Sequence, residues 1–324
     1  MKVLITGGGG FIGSNLAVEL LQLGHDVIIV DNFTNSRWSC TSALYDRLIS
    51  IGNANTDSLT IVTCDLSNVH LSWKVEEYFA DADVVYHLAS SVGVKSIDIN
   101  PRAAFTNMLN INTNISYLLQ RYNNRIIFAS TSEVYGDNPD AKETDTLKIS
   151  PPTQLRWGYA CNKLMFEFVY NSLDVETTIA RFFNVTGGNH MFGSGMVIPT
   201  FIERAKAGSP LVIHGDGNQF RSFCDIRDAV KMLTLLLDDV HVGGIYNIGN
   251  DKNRILITSL AEKVKEYTNS GSKIIHIPRE ECFTSNSGEI FERSPNIDKI
   301  KQYYTPMFNI DDIILNMVTS NGKI

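Results

Sequence analysis

Four consecutive glycines, Gly7 to Gly10, follow the short run Lys2-Val3-Leu4-Ile5-Thr6 and lead straight into Phe11-Ile12-Gly13. No other feature restricts the fold as much. Glycines gathered like this weaken a helix or strand interior, so they mark a tight turn. The apolar run before them reads as a buried strand. Phe11, Ile12, Leu16, Leu20 and Leu23 after them recur close to a 3.6-residue period, which predicts a helix. A second apolar strand, Val27-Ile28-Ile29-Val30, then ends at Asp31.

The same alternation continues. Apolar strands are expected at 59–62, 84–88, 125–129 and 176–180, with helical stretches at 67–80, 101–121 and 159–172 between most of them. Near-continuous apolar strands alternating with helices imply a parallel sheet covered on both faces. Residues 32–58 are polar and rich in Asn and Ser, an excursion with a helix expected near Thr41–Ser50. Beyond 185 the pattern loosens, with helices expected at 198–207, 227–238, 258–269, 296–303 and 310–317. The expected organisation is a dinucleotide-binding domain over 1–180 and an interleaved substrate lobe over 181–324.

The glycine turn has a chemical reading. Its spacing fits GxxGxxG as Gly7, Gly10 and Gly13, and GxGxxG as Gly8, Gly10 and Gly13. Such a turn brings backbone close to a pyrophosphate held at the positive end of the helix, where Phe11 and Ile12 begin. Asp31, with Asn32 beside it, is placed to accept both adenosine ribose hydroxyls and to repel a 2′-phosphate, which favours NAD over NADP. Asp65 and Leu66 after the third strand are candidates for the adenine. Leu88, Ala89 and Ser90, after His87, are candidates for the floor under the nicotinamide ribose. Taken alone, each of these is more often a structural residue than a functional one, and Asp65 suits a helix cap.

Tyr159-Ala160-Cys161-Asn162-Lys163 places a tyrosine and a lysine one helical turn apart on one face. A nearby ammonium, and the cationic nicotinamide, would favour the phenolate of a side chain whose ordinary pKa is about 10. The pair suits removal of a proton from a sugar hydroxyl as hydride leaves its carbon. Lys163 also suits the nicotinamide ribose. Because Tyr159, Lys163 and Thr131 are all present, a purely NAD-sensing role is disfavoured.

Composition narrows the remaining classes. The 324 residues carry 28 Lys+Arg and 35 Asp+Glu, a net charge of −7, with no basic run, so nucleic acid is not an expected partner. No apolar stretch approaches the roughly 18 residues of a membrane helix. Five scattered cysteines with no CxxC pair, histidines without metal-ligand spacing and no secretion signal lead to an expectation of a cytoplasmic protein without metal.

These residues together resemble the extended short-chain dehydrogenase/reductase family, in particular its nucleotide-sugar epimerases, decarboxylases and dehydratases. The resemblance spans nearly the whole chain. It takes in Gly7/Gly10/Gly13, Asp31, His87-Leu88-Ala89, Ser130-Thr131-Ser132-Glu133-Val134-Tyr135-Gly136 and Tyr159/Lys163. It continues through Arg181 to Gly187, Gly215-Asp216-Gly217, Asp225 to Asp228 and Tyr246 to Gly249. It implies a Rossmann-type doubly wound sheet with a smaller C-terminal α/β lobe. It also implies NAD held through the turnover, and oxidation of a UDP-linked sugar to a 4-keto sugar.

On this resemblance Thr131 holds the sugar C4 oxygen and Tyr159 removes its proton. Asn184, Arg221 and Arg293 contact the diphosphate, and in a decarboxylase Glu133 and Arg293 sit near the sugar carboxylate. Ser132, where dehydratases carry Asp, disfavours dehydration. The stretches Val92 to Asn100-Pro101 and Arg156 to Cys161 look more like epimerases, whereas Asp225 to Asp228 and Glu292 to Pro295 look like decarboxylases. The expectation is a UDP-sugar 4-epimerase, with a UDP-glucuronate decarboxylase as the alternative and a dehydratase or reductase more remote. Thr186-Gly187-Gly188-Asn189-His190 departs from the family beside the sugar site. A homodimer is implied, paired through the helices near 101–121 and around Tyr159, with Leu109, Ile111, Ile115, Leu118 and Leu119 as apolar surface.

Overall fold

The computed structural model describes residues 1–34, 44–46, 48, 56–68, 75–90, 99–188, 190, 195–278, 281 and 290–320. Its centre is a seven-stranded parallel sheet. In chain order its strands are β1 (Lys2–Thr6), β2 (Asp26–Asp31), β3 (Leu59–Thr63), β4 (Val84–His87), β5 (Arg125–Thr131), β7 (Thr177–Phe182) and β12 (Ile245–Ile248); β6 (Asn138–Ala141) lies elsewhere. The spatial order is β12-β7-β5-β4-β1-β2-β3. The chain winds outward from β1 through β2 to β3, then returns to the other side of β1 with β4. Ligands of such sheets bind in the crevice at this reversal, beyond the carboxyl ends of the strands.

Side chains of a strand alternate between faces, and both faces here are covered. Val3 and Ile5 belong to one buried cluster, with helices α1 (Phe11–Gln22) and, later in the chain, Ile226–Leu235; Leu4 belongs to the other. That second face carries α2 (Glu76–Asp81), α3 (Pro101–Tyr122) and α4 (Trp157–Ser172). The described part of the expected helix at 67–80 is this short α2, and residues 69–74 lie outside the described set. Helix α3 starts at Asn100, whose side chain accepts from the Ala103 amide, with Pro101 in its first turn. Of the five α3 residues expected on a pairing surface, Leu109 is exposed. Ile111, Ile115, Leu118 and Leu119 are buried against the sheet within the chain itself.

The second half adds helices α5 (Val197–Lys206), α6 (Ile226–Leu235), α7 (Ile257–Thr268), α8 (Asp298–Lys301) and α9 (Ile310–Thr319). Here α5, α7 and α9 share a separate core. A four-stranded mixed sheet of order β13-β10-β15-β6 unites β10 (Phe220–Ser222), β13 (Arg254–Leu256) and β15 (Glu292–Pro295) with β6 from the first half, and two short parallel pairs join β8 (Val185–Thr186) to β11 (Cys224–Asp225) and β9 (Leu211–His214) to β14 (Ile274–Ile277). The strand β12 was not expected from the sequence. Its four residues lie between Gly244 and Gly249, too short to show a period. The helix expected near Thr41–Ser50 falls mostly outside the described residues, though 44–46 and 48 are helical. Among the described residues no helix is long and apolar enough to cross a membrane.

A buried polar network ties these layers together. Arg181 on β7 makes a two-pronged pair with Glu167 of α4, Nε to Oε1 at 3.0 Å and Nη2 to Oε2 at 2.6 Å. Ser130 of β5, in register with Arg181, also donates to Glu167. Arg181 Nη1 donates to the Tyr135 hydroxyl at 2.9 Å, and that hydroxyl donates to Asn247 of β12 at 2.8 Å. Asn247 in turn donates to the carbonyls of Ala141 and Asn296. Glu167→Ala leaves the Arg181 guanidinium buried without its counter-charge. This costs about 3–5 kcal/mol, read as a lower urea midpoint, and Glu167→Gln costs less.

Candidate active site

The glycine turn lies at the reversal point between β1 and β4. Gly7 adopts φ +71° and donates its amide to the Val30 carbonyl at 2.8 Å. A Cβ at Gly7 would lie 2.8 Å from the Ala89 nitrogen, and one at Gly13 would lie 2.4 Å from the Gly7 carbonyl oxygen. Both positions therefore exclude a side chain. Helix α1 follows with Gly10 as its N-cap, where no side chain accepts from the first turn and no acidic residue occupies it. Its amides and positive dipole end, including those of Phe11 and Ile12, face the crevice as an anion site.

Asp31 closes the turn from β2. Its Oδ2 accepts from the Gly9 amide at 2.9 Å and its Oδ1 from the Phe33 amide at 2.7 Å. Burial pushes its pKa up, while these amides pull the other way. Each carboxylate oxygen keeps acceptor capacity for a ribose hydroxyl. Asn32 accepts from the Thr34 amide at 3.0 Å. Leu88 and Ala89 hang from Thr6 of β1, through its carbonyl at 3.1 Å and its hydroxyl at 3.3 Å. The Ser90 hydroxyl beyond them is buried without a hydrogen-bond partner among the described residues. An excluded Cβ, an open helix start, an acid with spare acceptors and an orphaned hydroxyl together fit a dinucleotide.

Two cofactor candidates also have local duties. Asp65 Oδ1 accepts from the amide and hydroxyl of Ser67, at 2.9 and 2.7 Å, as a turn-forming side chain. Leu66 turns into the core, and its carbonyl accepts from Asn114 at 2.9 Å. His87 is fully buried between Thr6 and Asn112, and burial lowers its pKa to about 3, so it is neutral.

Helix α4 carries Tyr159 and Lys163 on the face toward the carboxyl end of β5. The Lys163 ammonium donates to the Ala129 carbonyl at 2.8 Å and lies 4.8 Å from the Phe128 ring centre. Burial lowers its pKa to about 7 against the opposing pull of Glu167. The Thr131 side chain lies close enough to the Tyr159 hydroxyl to lower its pKa, and the Thr131 oxygen accepts from the Glu133 amide at 3.2 Å. The expected lowering of the Tyr159 pKa by Lys163 is not what the chain produces. Burial and the Glu133 charge push it up, and Arg293 and Thr131 only partly oppose them.

Glu133 is the centre of a charged cluster. Its Oε1 meets Arg156 Nη2 at 3.3 Å and Arg293 Nη1 at 3.3 Å. Burial works to raise its pKa, but the two guanidinium groups outweigh this and hold the carboxyl below its usual range. Arg293 comes from β15, is 6% exposed, and donates from Nη2 to Asn184 Oδ1 at 3.3 Å. Asn184 is fixed by its own donation to the Ser222 carbonyl at 2.8 Å. Arg221 is in register with Arg293 on the neighbouring strand. Its guanidinium donates to the carbonyls of Phe220, Ile290 and Phe291, bracing the strand.

The structure thus gathers Thr131, Glu133, Tyr159, Asn184 and Arg293, with Lys163 beneath. Sequence reasoning passed over Arg156 as a site residue. The available signal was its place three residues before Tyr159, on the same helical face. The stretch 91–98 and Asn189 lie outside the described residues. His190 stacks on Phe11, the first residue of α1, with ring centres 4.1 Å apart.

Comparison with known proteins agrees with this geometry. Residues 3–249 match the model of the NAD dependent epimerase/dehydratase family. The chain is 35% identical over 306 residues to the UDP-N-acetyl-alpha-D-glucosaminuronate decarboxylase of Bacillus cytotoxicus, covering 93% of this chain and 91% of that one. It is 30% identical over 308 residues to UDP-glucuronic acid decarboxylase 4 of Arabidopsis thaliana, covering 93% of this chain and 64% of that one. The X-ray structure of Pal from Bacillus thuringiensis matches with a TM-score of 0.84 and 27% identity, over 100% of this chain and 99% of that one.

The crowding at Gly13 makes a direct prediction. Gly13→Ala weakens NAD binding by ~10-fold or more, equivalent to about 1.4 kcal/mol. The check is isothermal titration together with the NAD content of the purified protein, with unchanged circular dichroism as the control for folding.

Proposed function

Since the chain belongs to the NAD-dependent epimerase/dehydratase family, we propose that it is a decarboxylase of UDP-linked uronic acids acting through a 4-keto sugar. The observation that carries this reading is Arg293. It is buried close to Tyr159, its Nε has no hydrogen-bond partner among the described residues, and its Nη1 meets only the Glu133 oxygen that Arg156 also holds, at 3.3 Å. With Arg156 it leaves the Glu133 cluster one positive charge in excess. A buried guanidinium with an idle donor favours an anion with fork geometry, and a sugar carboxylate supplies one. The neutral hydroxymethyl of a hexose does not. The names of the sequence relatives, UDP-sugar decarboxylases, support this choice, while structural neighbours include UDP-sugar 4-epimerases, the alternative placed first from the sequence.

NAD, when bound, supplies the acceptor for the C4 hydride and later its donor. Thr131 holds the C4 oxygen, and Tyr159 takes its proton, with Lys163 below to stabilise the charge. Oxidation at C4 makes the substrate a β-keto acid. Arg293 orients the carboxylate, the C5–C6 bond breaks, and CO2 leaves with its bonding electrons passing into the C4 carbonyl. A proton from solvent is then added at C5, and Tyr159 is the group that returns the proton to the C4 oxygen. Asn184 and the lobe formed by 181–324 hold the nucleotide diphosphate. We place the protein in a reducing, cytoplasmic setting, consistent with the Cys161 and Cys224 thiols, which form no disulfide.

Incubation with NAD and UDP-glucuronate, UDP-N-acetylglucosaminuronate or UDP-glucose tests this. Loss of CO2 from a uronate by mass is expected, and Arg293→Met lowers that rate by roughly 100-fold or more. An unchanged mass with a new C4 epimer would replace the reading with a 4-epimerase.

The homodimer also belongs to this proposal. Tyr117 and Leu109 on α3 and Met165 and Phe168 on α4 are 55%, 52%, 57% and 68% exposed. Large apolar side chains on two adjacent helices suit pairing with a second copy. Light scattering should return twice the chain mass, and Phe168→Glu should return the single mass.

A further inference from the structure

Arg156 has no part in the reaction as described. We propose that Arg156 is a positioning residue, the resident counter-ion of Glu133, which leaves Arg293 able to turn onto the anionic group of the substrate. This rests on the decarboxylase reading for its substrate, and on geometry for its cause.

Three contacts carry the argument. Glu133 Oε1 is shared between Arg156 and Arg293 at 3.3 Å each. Charge-assisted bonds at their optimum are shorter, about 2.7–2.9 Å. Arg293 divides itself further, reaching Asn184 at 3.3 Å. None of its contacts is tight, so it can exchange Glu133 for a better-placed carboxylate at small cost. Glu133 cannot give up both cations, because a buried carboxylate stripped of partners is strongly penalised. Arg156 supplies the second. It sits at the start of α4, its side chain is 10% exposed, and it is one turn from Tyr159. The charged and titratable groups facing Glu133 are therefore Arg156 and Tyr159 from α4 and Arg293 from β15. Without Arg156, substrate and Glu133 compete for Arg293.

The test uses the NAD-loaded protein with 13C-labelled glutamate carboxyls. The Glu133 signal is identified by its loss in Glu133→Gln. Without substrate, Arg156→Met should raise the Glu133 midpoint by about one pH unit or more, and by more than Arg293→Met does. Arg156→Lys should restore most of the shift. In uronate turnover, Arg156→Met should raise KM by ~10-fold or more and move the acid limb of the pH profile upward, again with rescue by lysine. An unchanged midpoint in Arg156→Met, or a larger shift in Arg293→Met, overturns the proposal. A wild type that turns over no uronate overturns the decarboxylase reading, while the titration still decides the part played by Arg156.

Discussion

Everything chemical in this molecule depends on how α4 is docked against the carboxyl end of β5. Three consecutive strand residues each meet one group of the helix. The carbonyl of Ala129 takes the Lys163 ammonium, the hydroxyl of Ser130 reaches Glu167, and the side chain of Thr131 neighbours the Tyr159 hydroxyl. Tyr159, Lys163 and Glu167 are spaced by four residues, so they form one stripe along the helix. Arg181 from the next strand locks the deepest of them. Buried charge is costly unless it is paired and hydrogen-bonded, so this docking has one satisfactory register. The base and the hydroxyl that serves it are thereby set by packing as well as by their own chemistry.

The small mixed sheet delivers the other half of the site. Its strand β6 follows the turn that carries Glu133, and β15 pairs with it so that Arg293 lies against Asn138. The acid and the arginine are far apart in sequence but are joined by one parallel strand pairing. Arg221, one strand further, is spent on carbonyls of the same region and keeps β15 and the segment before it in place. Two guanidinium groups on adjacent strands thus differ: Arg221 donates to backbone carbonyls, and Arg293 reaches the side chains of Glu133 and Asn184 at 3.3 Å each.

Much of the large sheet was legible from the sequence because its strands are continuous apolar runs separated by periodic helices. The glycine turn and Asp31 were legible because a strand–turn–helix–strand order leaves few alternatives. Strand β12 was not, since four residues between glycines carry no period. Nor could the inward turn of Ile111, Ile115, Leu118 and Leu119 be told from an outward one, because a helix packed on a sheet and a helix packed on a second copy show the same apolar spacing. The local duties of Asp65 and Arg221 were hidden for a similar reason. A carboxylate after a strand and an arginine in a lobe have the same residue type whether they face a ligand or their own backbone. Arg156 needed the fold itself, since its partner Glu133 is brought to it only when α4 settles on β5.

The charges of the site explain one another in sequence. An ionised Glu133 makes the Tyr159 phenol harder to deprotonate, and burial adds to this, so the tyrosine in isolation is a poor base. Arg293 works against both effects, and Arg156 offsets the same carboxylate from the other side. Lys163, with a pKa lowered to about 7, lies near the point where a modest neighbouring charge changes its protonation. A carboxylate arriving at Arg293 would draw that guanidinium away from Glu133, and without a second cation the field at Tyr159 would turn more negative just as its proton must be moved. The arrangement Arg156–Glu133–Arg293 prevents this by keeping the acid compensated whichever way Arg293 turns. A site built for a neutral sugar has no such conflict to resolve and no need for the second arginine.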